Sequence, residues 1–203
     1  MTVRSFFPTL IYQQKLANVA KLNRDVLREA YAFREIDDAG RRWSEDNYFQ
    51  GYTSYSSVAD LPYRSPTFAR LRELLDPHVK RFAKRLDMDL GDRKLEMSTC
   101  WINIMGYGTH HSLHLHPLSA ISGTYFAKVP KGSGPFKIED PRLTCFMGSP
   151  PRTSKSSLEN QRFVDLKPRA EEIILFESWL RHEVPANKSR EDRISISFNY
   201  DWV

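Results

Sequence analysis

The sequence predicts a mainly β protein, a double-stranded β-helix (jelly roll) buttressed by two N-terminal helices. Two segments before residue 90 place apolar residues at helical spacing. After Gly91 the chain becomes a series of short β-prone runs that Gly, Pro, Asn and Asp separate. Because no helical period lies between these runs, the pattern indicates an antiparallel sandwich or barrel and not βαβ units.

The first 90 residues are predicted to form the helical buttress and a covering loop. An opening strand, SFFPTLIYQQKL, precedes a helix over roughly residues 18–34. A second helix begins at Pro66 with Ser65 as its N-cap and ends near Leu86. The interval between the helices is polar, aromatic and rich in turn residues, which predicts an irregular loop with one short strand around Tyr52 to Tyr55. Its aromatic residues either cover a site or pack over the barrel, and we expect packing for Trp43, Tyr48, Phe49, Tyr52 and Tyr55.

The composition is typical of one soluble domain that covers residues 1–203, with the jelly roll in residues 91–203. The chain has 203 residues and 40% hydrophobic content, enough for one core. Its formal charge of +5 comes from interspersed residues, so nucleic-acid binding is not expected. There is no run of 18 apolar residues, and Cys100 and Cys145 cannot build a disulfide framework. We therefore expect a cytoplasmic protein without a membrane segment.

Four of the six histidines lie within residues 110–116, just before an apolar β-prone run. Alternate residues of a strand face the same side, so His114 and His116 can both face one interior. A third metal ligand would be His182, the only histidine further along the chain. Three protein ligands leave coordination positions open, as in catalytic metal sites. The alternative is a pair of polar residues at a strand edge, although burying two imidazoles there without partners would be costly.

The last β-prone run, RISISFNY, has one polar and one apolar face. Arg193, Ser195, Ser197 and Asn199 alternate with Ile194, Ile196 and Phe198. A polar strand face that begins with arginine indicates an enclosed anionic ligand, because the guanidinium fork can hold a carboxylate through two hydrogen bonds. Ser195 can add a hydroxyl from the same side.

These motifs resemble those of a known family. INIMGYGTHHSLHLH is similar to the Asn, Gly and His-x-Asp segment of the iron(II) and 2-oxoglutarate-dependent oxygenases, and WLRHEV with RISISFN is similar to their distal His followed by Arg-x-Ser. FFPTLIY, LHLHPLSAISGTYF and GPFKIEDPR resemble the bacterial members whose hallmark is His-x-His-Pro with a Ser-Gly strand. The resemblance spans nearly the whole chain and is densest from Trp101 to Trp202.

The resemblance implies a cofactor set and a site. It implies Fe(II) as metal and 2-oxoglutarate as cosubstrate, with hydroxylation of a substrate coupled to release of succinate and CO₂. By this resemblance His114 and His182 are metal ligands, and Arg193 with Ser195 holds the distal carboxylate of 2-oxoglutarate. Asn103 and Tyr125 match residues that contact the cosubstrate in some members. A strand polar group and a core aromatic are equally good readings of these two.

One position departs from the family pattern. Most members have Asp or Glu where this chain has His116, so the usual two-histidine, one-carboxylate set becomes three histidines. An imidazole can ligate iron, but the site is then more positive by one charge. Glu139 and Asp140 are the carboxylates that could replace His116 as ligand. His110 and His111 are expected at the rim of the site or in a turn.

Two other functions fit parts of the pattern. A cupin-like three-histidine dioxygenase or a zinc hydrolase would share Gly108 and His-x-His but would not require Arg193. A non-catalytic jelly-roll binding module would keep the histidines for packing or metal-dependent stability. For the oxygenase we expect a small-molecule or amino-acid-like substrate, whose identity the sequence does not reveal, and a homodimer is compatible with the sequence.

Overall fold

Two antiparallel β-sheets face each other, and helices cover the outer side of the larger one. The computed structural model describes residues 1–203. The helices are α1 (Ala20–Ile36), α2 (Asp38–Asn47), α3 (Leu61–Arg64) and α4 (Pro66–Arg85). The strands are β1 (Tyr12–Lys15), β2 (Gly51–Thr53), β3 (Leu95–Met105), β4 (His111–His114), β5 (Ile121–Lys128), β6 (Phe136–Glu139), β7 (Phe163–Leu166), β8 (Glu172–Glu177), β9 (His182–Val184) and β10 (Arg193–Trp202).

The strand order is that of a jelly roll, as predicted. The major sheet has the order β1-β8-β5-β10-β3-β2, and the minor sheet has the order β4-β9-β6-β7. Strand β10 lies inside the major sheet, with Ser195 opposite Asn103 of β3 and Phe126 of β5. Both β1 and β2 come from the first 90 residues, so the N-terminal part supplies the two edges of the major sheet as well as the helices. The division of a single domain at residue 90 stays a prediction.

The two long helices form where the apolar periodicity predicts them. In α4 the Ser65 side chain accepts a hydrogen bond from the Thr67 N–H, and Pro66 occupies the first turn, where no N–H is needed. Buried residues of α4 recur at helical spacing and face the major sheet, at Phe68, Leu71, Leu75, Val79 and Phe82. Burial of this apolar face against the sheet stabilises the helix more than its intrinsic propensity does.

Helix α2 replaces part of the loop that the sequence predicts. Its buried residues are only Gly40 and Ser44, so it has no apolar stripe to reveal it. The helix starts instead from a local hydrogen bond, in which the buried Asp37 carboxylate accepts from the Gly40 N–H at 2.9 Å. The predicted short strand is present as β2, whose Tyr52 is buried in the core.

The core has two layers, and the polar face of β10 lies between the sheets. The helices pack on the outer face of the major sheet against Ile194, Ile196 and Phe198. A smaller apolar cluster, which includes Phe136 and Phe176, lies between the sheets. Because side chains alternate along β10, the residues from Arg193 to Asn199 that do not enter the first layer face the second sheet. None of the helices is long and apolar enough to cross a membrane.

Candidate metal centre and cosubstrate pocket

Three histidines meet between the two sheets. His114 on β4 and His182 on β9 are directly opposite each other in the minor sheet, and their ring centres are 4.3 Å apart. His116 follows the end of β4, with its ring centre 5.4 Å from that of His114 and 5.0 Å from that of His182. One ring nitrogen from each lies within 4.8 Å of the others. Strand pairing therefore brings together ligands that are far apart in sequence.

The hydrogen bonds of these histidines fit a bound cation. Nδ1 of His114 lies 2.7 Å from the Ser112 carbonyl, and Nδ1 of His182 lies 2.9 Å from the Leu180 carbonyl. A carbonyl oxygen can only accept, so both Nδ1 atoms carry the proton and both Nε2 atoms keep a free lone pair. Burial lowers the pKa of His114 and of His182, and lowers the pKa of His116 to about 4, so all three are neutral at pH 7.

His116 is held by a polar network that reaches across the major sheet. Its Nδ1 donates to the Asn199 side-chain oxygen at 2.7 Å and lies 2.9 Å from Ser122 Oγ. Asn199 donates its own amide to Thr99 Oγ1 at 2.9 Å, which fixes the orientation of the side chain. Ser122 Oγ is in turn 2.7 Å from Ser178 Oγ. The network orients Nε2 of His116 toward the other two histidines, the role that outer-shell partners have in metal sites.

We predict that Asn199→Ala weakens metal binding by about 10- to 100-fold, because His116 then loses the acceptor that sets its tautomer and ring orientation. Calorimetric titration of the metal-free protein with Zn²⁺ measures this effect. Asn199→Asp keeps an oxygen for the His116 N–H, so it should bind Zn²⁺ at least as tightly as the wild type. Equal Zn²⁺ affinity in Asn199→Ala and the wild type would contradict the prediction.

Arg193 lies in the same cavity as the three histidines, without an acidic partner. It is the first residue of β10 and only 2% exposed. Its Nη1 contacts Met105 Sδ at 3.0 Å, its Nε has no hydrogen-bond partner, and the guanidinium lies 5.3 Å from the Phe126 ring centre. Burial lowers its pKa to about 10, which still leaves the group charged at neutral pH. The hydroxyl of Tyr48, also buried and unpartnered, shares this region. An unpaired buried cation of this kind fits an anionic ligand.

The other predicted cosubstrate residues divide into two groups. Ser195 and Asn103 line the cavity. The Asn103 amide accepts from Thr53 Oγ1 at 2.9 Å and donates one of its two N–H groups to Ser197 Oγ at 3.1 Å. The structure does not bring Tyr125 to the site. Its side chain lies in the layer between the major sheet and the helices, where its hydroxyl donates to Asn23 Oδ1 at 2.7 Å.

The position of Tyr125 follows from strand parity. On β5, Thr124 lines the cavity, and its neighbour in sequence must point to the opposite face. We predict that Tyr125→Phe lowers the free energy of unfolding by about 1 kcal/mol through loss of one buried hydrogen bond. The KM for 2-oxoglutarate should stay within twofold of the wild type. Urea unfolding and steady-state kinetics test both parts, with Thr124→Val as the cavity-facing comparison. A larger rise in KM for Tyr125→Phe than for Thr124→Val would place Tyr125 at the site after all.

The two candidate carboxylate ligands lie elsewhere. Glu139 is buried and forms ion pairs with Arg162 and Arg181 at 3.1 and 2.9 Å. Asp140 pairs with Arg142 at 2.7 Å. Neither belongs to the histidine cluster. The structure therefore gives no support to a carboxylate as third ligand in place of His116.

The two other histidines of residues 110–116 differ from each other. His110 is exposed. His111 lines the cavity, packs edge-on against Tyr48 with ring centres 4.6 Å apart, and has a buried Nε2 without a hydrogen-bond partner. Burial lowers the pKa of His111 to about 3. The residues that sequence reasoning missed are Tyr48, Ser122, Ser178 and the orienting role of Asn199. For Ser122 and Asn199 the signal is a polar residue at a strand position that faces inward, whereas Tyr48 and Ser178 lie outside the strands.

The fold and the site together define a jelly-roll protein with a three-histidine candidate metal centre beside a buried arginine. Residues 99–199 match the family model described as "Putative 2OG-Fe(II) oxygenase". The chain belongs to this family of 2-oxoglutarate/iron(II) oxygenases, as the resemblance of its motifs predicted. It is accordingly an oxidoreductase whose cofactors are Fe(II) and 2-oxoglutarate. None of the curated proteins matches the chain in sequence.

Solved structures of oxygenases share the fold. The 2-oxoglutarate-dependent epimerase SnoN from nogalamycin biosynthesis aligns with a TM-score of 0.65 at 16% identity, over 95% of this chain and 76% of SnoN. HygX from Streptomyces hygroscopicus, solved with nickel, 2-oxoglutarate and hygromycin B, aligns with a TM-score of 0.63 at 15% identity, over 95% and 83%. A prolyl-4-hydroxylase from Pseudomonas putida aligns with a TM-score of 0.57 at 15% identity, over 95% and 92%. At these identities the likeness establishes the fold alone.

Proposed function

We propose that the chain hydroxylates a small-molecule or amino-acid-like substrate, with His114, His116 and His182 as iron ligands and Arg193 as the anchor of 2-oxoglutarate. The observation that carries the proposal is the buried, unpaired guanidinium in the same cavity as three neutral imidazoles. A cupin-like dioxygenase or a zinc hydrolase would need the histidines but not this arginine. A non-catalytic module would have no need to keep an unpaired charge buried.

The charges of the site match the charges of the cosubstrate. Arg193 offers free N–H groups to the distal carboxylate of 2-oxoglutarate, and charge-assisted pairing of this type is both strong and directional. Ser195 lies two residues further on the same face of β10 and supplies a hydroxyl beside that carboxylate. The Asn103 amide bonds Thr53 and Ser197, which orients it, and its second N–H remains available to the cosubstrate.

Iron bound with 2-oxoglutarate supplies the activation of O₂ that oxidises a substrate C–H bond, while 2-oxoglutarate is converted to succinate and CO₂. The residues of this chain bind and orient. The three histidines present neutral Nε2 lone pairs, and Asn199 and Ser122 keep His116 in that tautomer. No side chain is required as general acid or base.

The proposal of a small substrate rests on the size of the space beside the three histidines. The opening next to the histidines is a pocket of about 210 Å³, which fits one ring-sized group better than a folded partner surface. Among proteins of the same fold, HygX was solved with hygromycin B and a prolyl hydroxylase from Trichoplax adhaerens with a peptide fragment. Either a free small molecule or an amino-acid side chain is compatible with this opening.

The proposal is tested by keto-acid selectivity. Calorimetry with the Zn²⁺-loaded protein compares 2-oxoglutarate with 2-oxopentanoate, which has the same chain length but lacks the distal carboxylate. We expect 2-oxoglutarate to bind at least about 100-fold more tightly, since loss of a buried charge partner costs about 2–5 kcal/mol. The iron-loaded protein should form succinate from 2-oxoglutarate under O₂ and none after chelation. Equal affinity for both keto acids, or no succinate, would overturn the proposal.

A further inference from the structure

A second pocket opens directly outside the histidines, and we call it the outer pocket. It shares Trp101, His111, His114 and His116 with the cavity that contains Arg193, so a group bound there lies beside the candidate metal centre. Its volume is about 210 Å³. It is also lined by three aromatic side chains that have no role in the proposed binding of iron and 2-oxoglutarate, namely Trp43, Tyr55 and Trp101.

The three aromatic side chains present faces and edges to the pocket instead of filling a core. Trp101 is nearly buried, with its ring centre 4.9 Å from that of Tyr55 and 5.6 Å from that of His116. Trp43 is 40% exposed and Tyr55 is 54% exposed, although each lines the pocket. Large aromatic side chains left open beside a reactive centre are suited to stack against a ring of a ligand.

Charge decides which kind of ring fits. The residues that line the outer pocket include no Asp, Glu, Lys or Arg, so a carboxylate or an ammonium would lose water there without gaining an ion pair. The charges of Fe(II) and dianionic 2-oxoglutarate cancel, and with three neutral histidines the charge of Arg193 leaves the loaded centre positive. The positive charge repels a cation, although aromatic side chains alone would attract one.

Two polar side chains of the pocket, Thr53 and Asn199, are already hydrogen-bonded. Thr53 Oγ1 donates to Asn103, and Asn199 bonds both His116 and Thr99. Nε2 of His111, which is buried and has no partner, remains available to a neutral polar group of the ligand. We infer that the outer pocket binds an uncharged aromatic ring of the prime substrate. The inference rests on the proposed function for the position of the metal and for the charge of the loaded centre.

Four matched probes test the inference. Phenylacetamide is neutral and aromatic, phenylacetate is its anionic counterpart, phenethylammonium is the cationic one, and cyclohexylacetamide lacks the aromatic ring. Binding to the full chain loaded with Zn²⁺ and 2-oxoglutarate is followed by quenching of tryptophan fluorescence. We expect phenylacetamide to bind at least about tenfold more tightly than either charged probe. It should also exceed cyclohexylacetamide by roughly 2- to 10-fold, the range that aromatic pairing gives beyond burial.

Variants test whether the fluorescence quenching comes from binding in the outer pocket. Trp43→Phe should reduce the quenching, whereas Trp202→Phe, at the far end of β10, should leave it unchanged. Tyr55→Ala should weaken binding of phenylacetamide by about fivefold. Tyr63→Ala is the matched control, since Tyr63 is 71% exposed and does not line the pocket, and it should bind as the wild type does. Tighter binding of a charged probe, equal binding of cyclohexylacetamide, or no binding by any probe would overturn the inference.

A second measurement separates this inference from the proposed function. With Mn²⁺ in place of Zn²⁺, the ring protons of bound phenylacetamide should show paramagnetic broadening in NMR spectra. Metal binding and 2-oxoglutarate binding are measured on the same samples by calorimetry. If both bind but the ring protons stay sharp, the ring inference alone is overturned. If Mn²⁺ does not bind while phenylacetamide still quenches Trp43, the proposed metal site fails and the ring pocket stands.

Discussion

Replacing His114 with alanine is expected to abolish metal binding and, with it, turnover of 2-oxoglutarate. His114 forms a triangle with the other two histidines, with its ring centre 4.3 Å from that of His182 and 5.4 Å from that of His116. Its removal leaves two imidazoles, and loss of a direct ligand should exceed the roughly 10- to 100-fold loss of affinity that removal of an outer-shell partner causes. Calorimetric titration with Zn²⁺, followed by succinate formation with Fe(II), measures both effects.

The matched control for this variant is His110→Ala. His110 is exposed, lies four positions earlier in the same histidine-rich stretch and is not part of the cluster. It should bind Zn²⁺ as the wild type does. Zn²⁺ should also raise the melting temperature of the wild type and of His110→Ala but not that of His114→Ala, because a ligand stabilises only the state that binds it. If His114→Ala bound Zn²⁺ with wild-type affinity, the proposed three-histidine site would be wrong.

The features that the sequence predicted correctly depend on short-range periodicity. The alternation from Arg193 to Asn199 places polar groups on one face of β10. Pairing with the neighbouring strands β3 and β5 preserves this alternation in the folded sheet. The apolar spacing in α4 works in the same way, because a helix that buries one face needs apolar residues on that face alone. The antiparallel pairing of the strands follows from the absence of a helical period between them.

Strand register and polar contacts could not be predicted in this way. The meeting of His114 with His182 depends on which strands pair and in which register, and no local pattern encodes that pairing. His116 lies beyond the end of β4, so its position depends on Asn199 and Ser122 and not on strand alternation. Tyr125 was placed at the site by its resemblance to family members, whereas the parity of β5 directs it to the helices.

Some aromatic residues of the predicted loop pack in the core and others lie beside the site, and the sequence allowed both positions. Tyr48 and Tyr52 are buried and pack, as expected. Trp43 and Tyr55 are largely exposed and line the outer pocket instead. Strand β2 places Tyr52 in the core beside the helices, whereas Trp43 lies on helix α2, which the apolar spacing did not predict. A polar helix that starts from one Asp37 hydrogen bond leaves little signal in apolar spacing.

Replacing Arg193 with methionine is expected to stabilise the metal-free protein while it eliminates binding of 2-oxoglutarate. The guanidinium is 2% exposed, its Nε has no hydrogen-bond partner and no acidic group pairs with it. Methionine has a similar length and is apolar, so the variant removes an unpaired buried charge without a large cavity. Substitution of this kind should raise the free energy of unfolding by about 1–3 kcal/mol. Affinity for 2-oxoglutarate should fall by at least about 100-fold.

The two opposite effects distinguish a ligand anchor from a structural residue. If Arg193 had only a structural role, its substitution would lower the free energy of unfolding and leave the affinity for keto acids unchanged. Urea unfolding of the metal-free protein and calorimetry of the Zn²⁺-loaded protein measure the two quantities separately. Arg190→Met, three residues earlier and exposed, should change neither. Because Arg193→Met removes a positive charge from the cavity of the three histidines, its Zn²⁺ affinity without 2-oxoglutarate should be at least that of the wild type, and the affinity of Arg190→Met should equal it. A less stable Arg193→Met protein that still prefers 2-oxoglutarate over 2-oxopentanoate would show that the charge serves the fold, and another cation would then have to hold the cosubstrate.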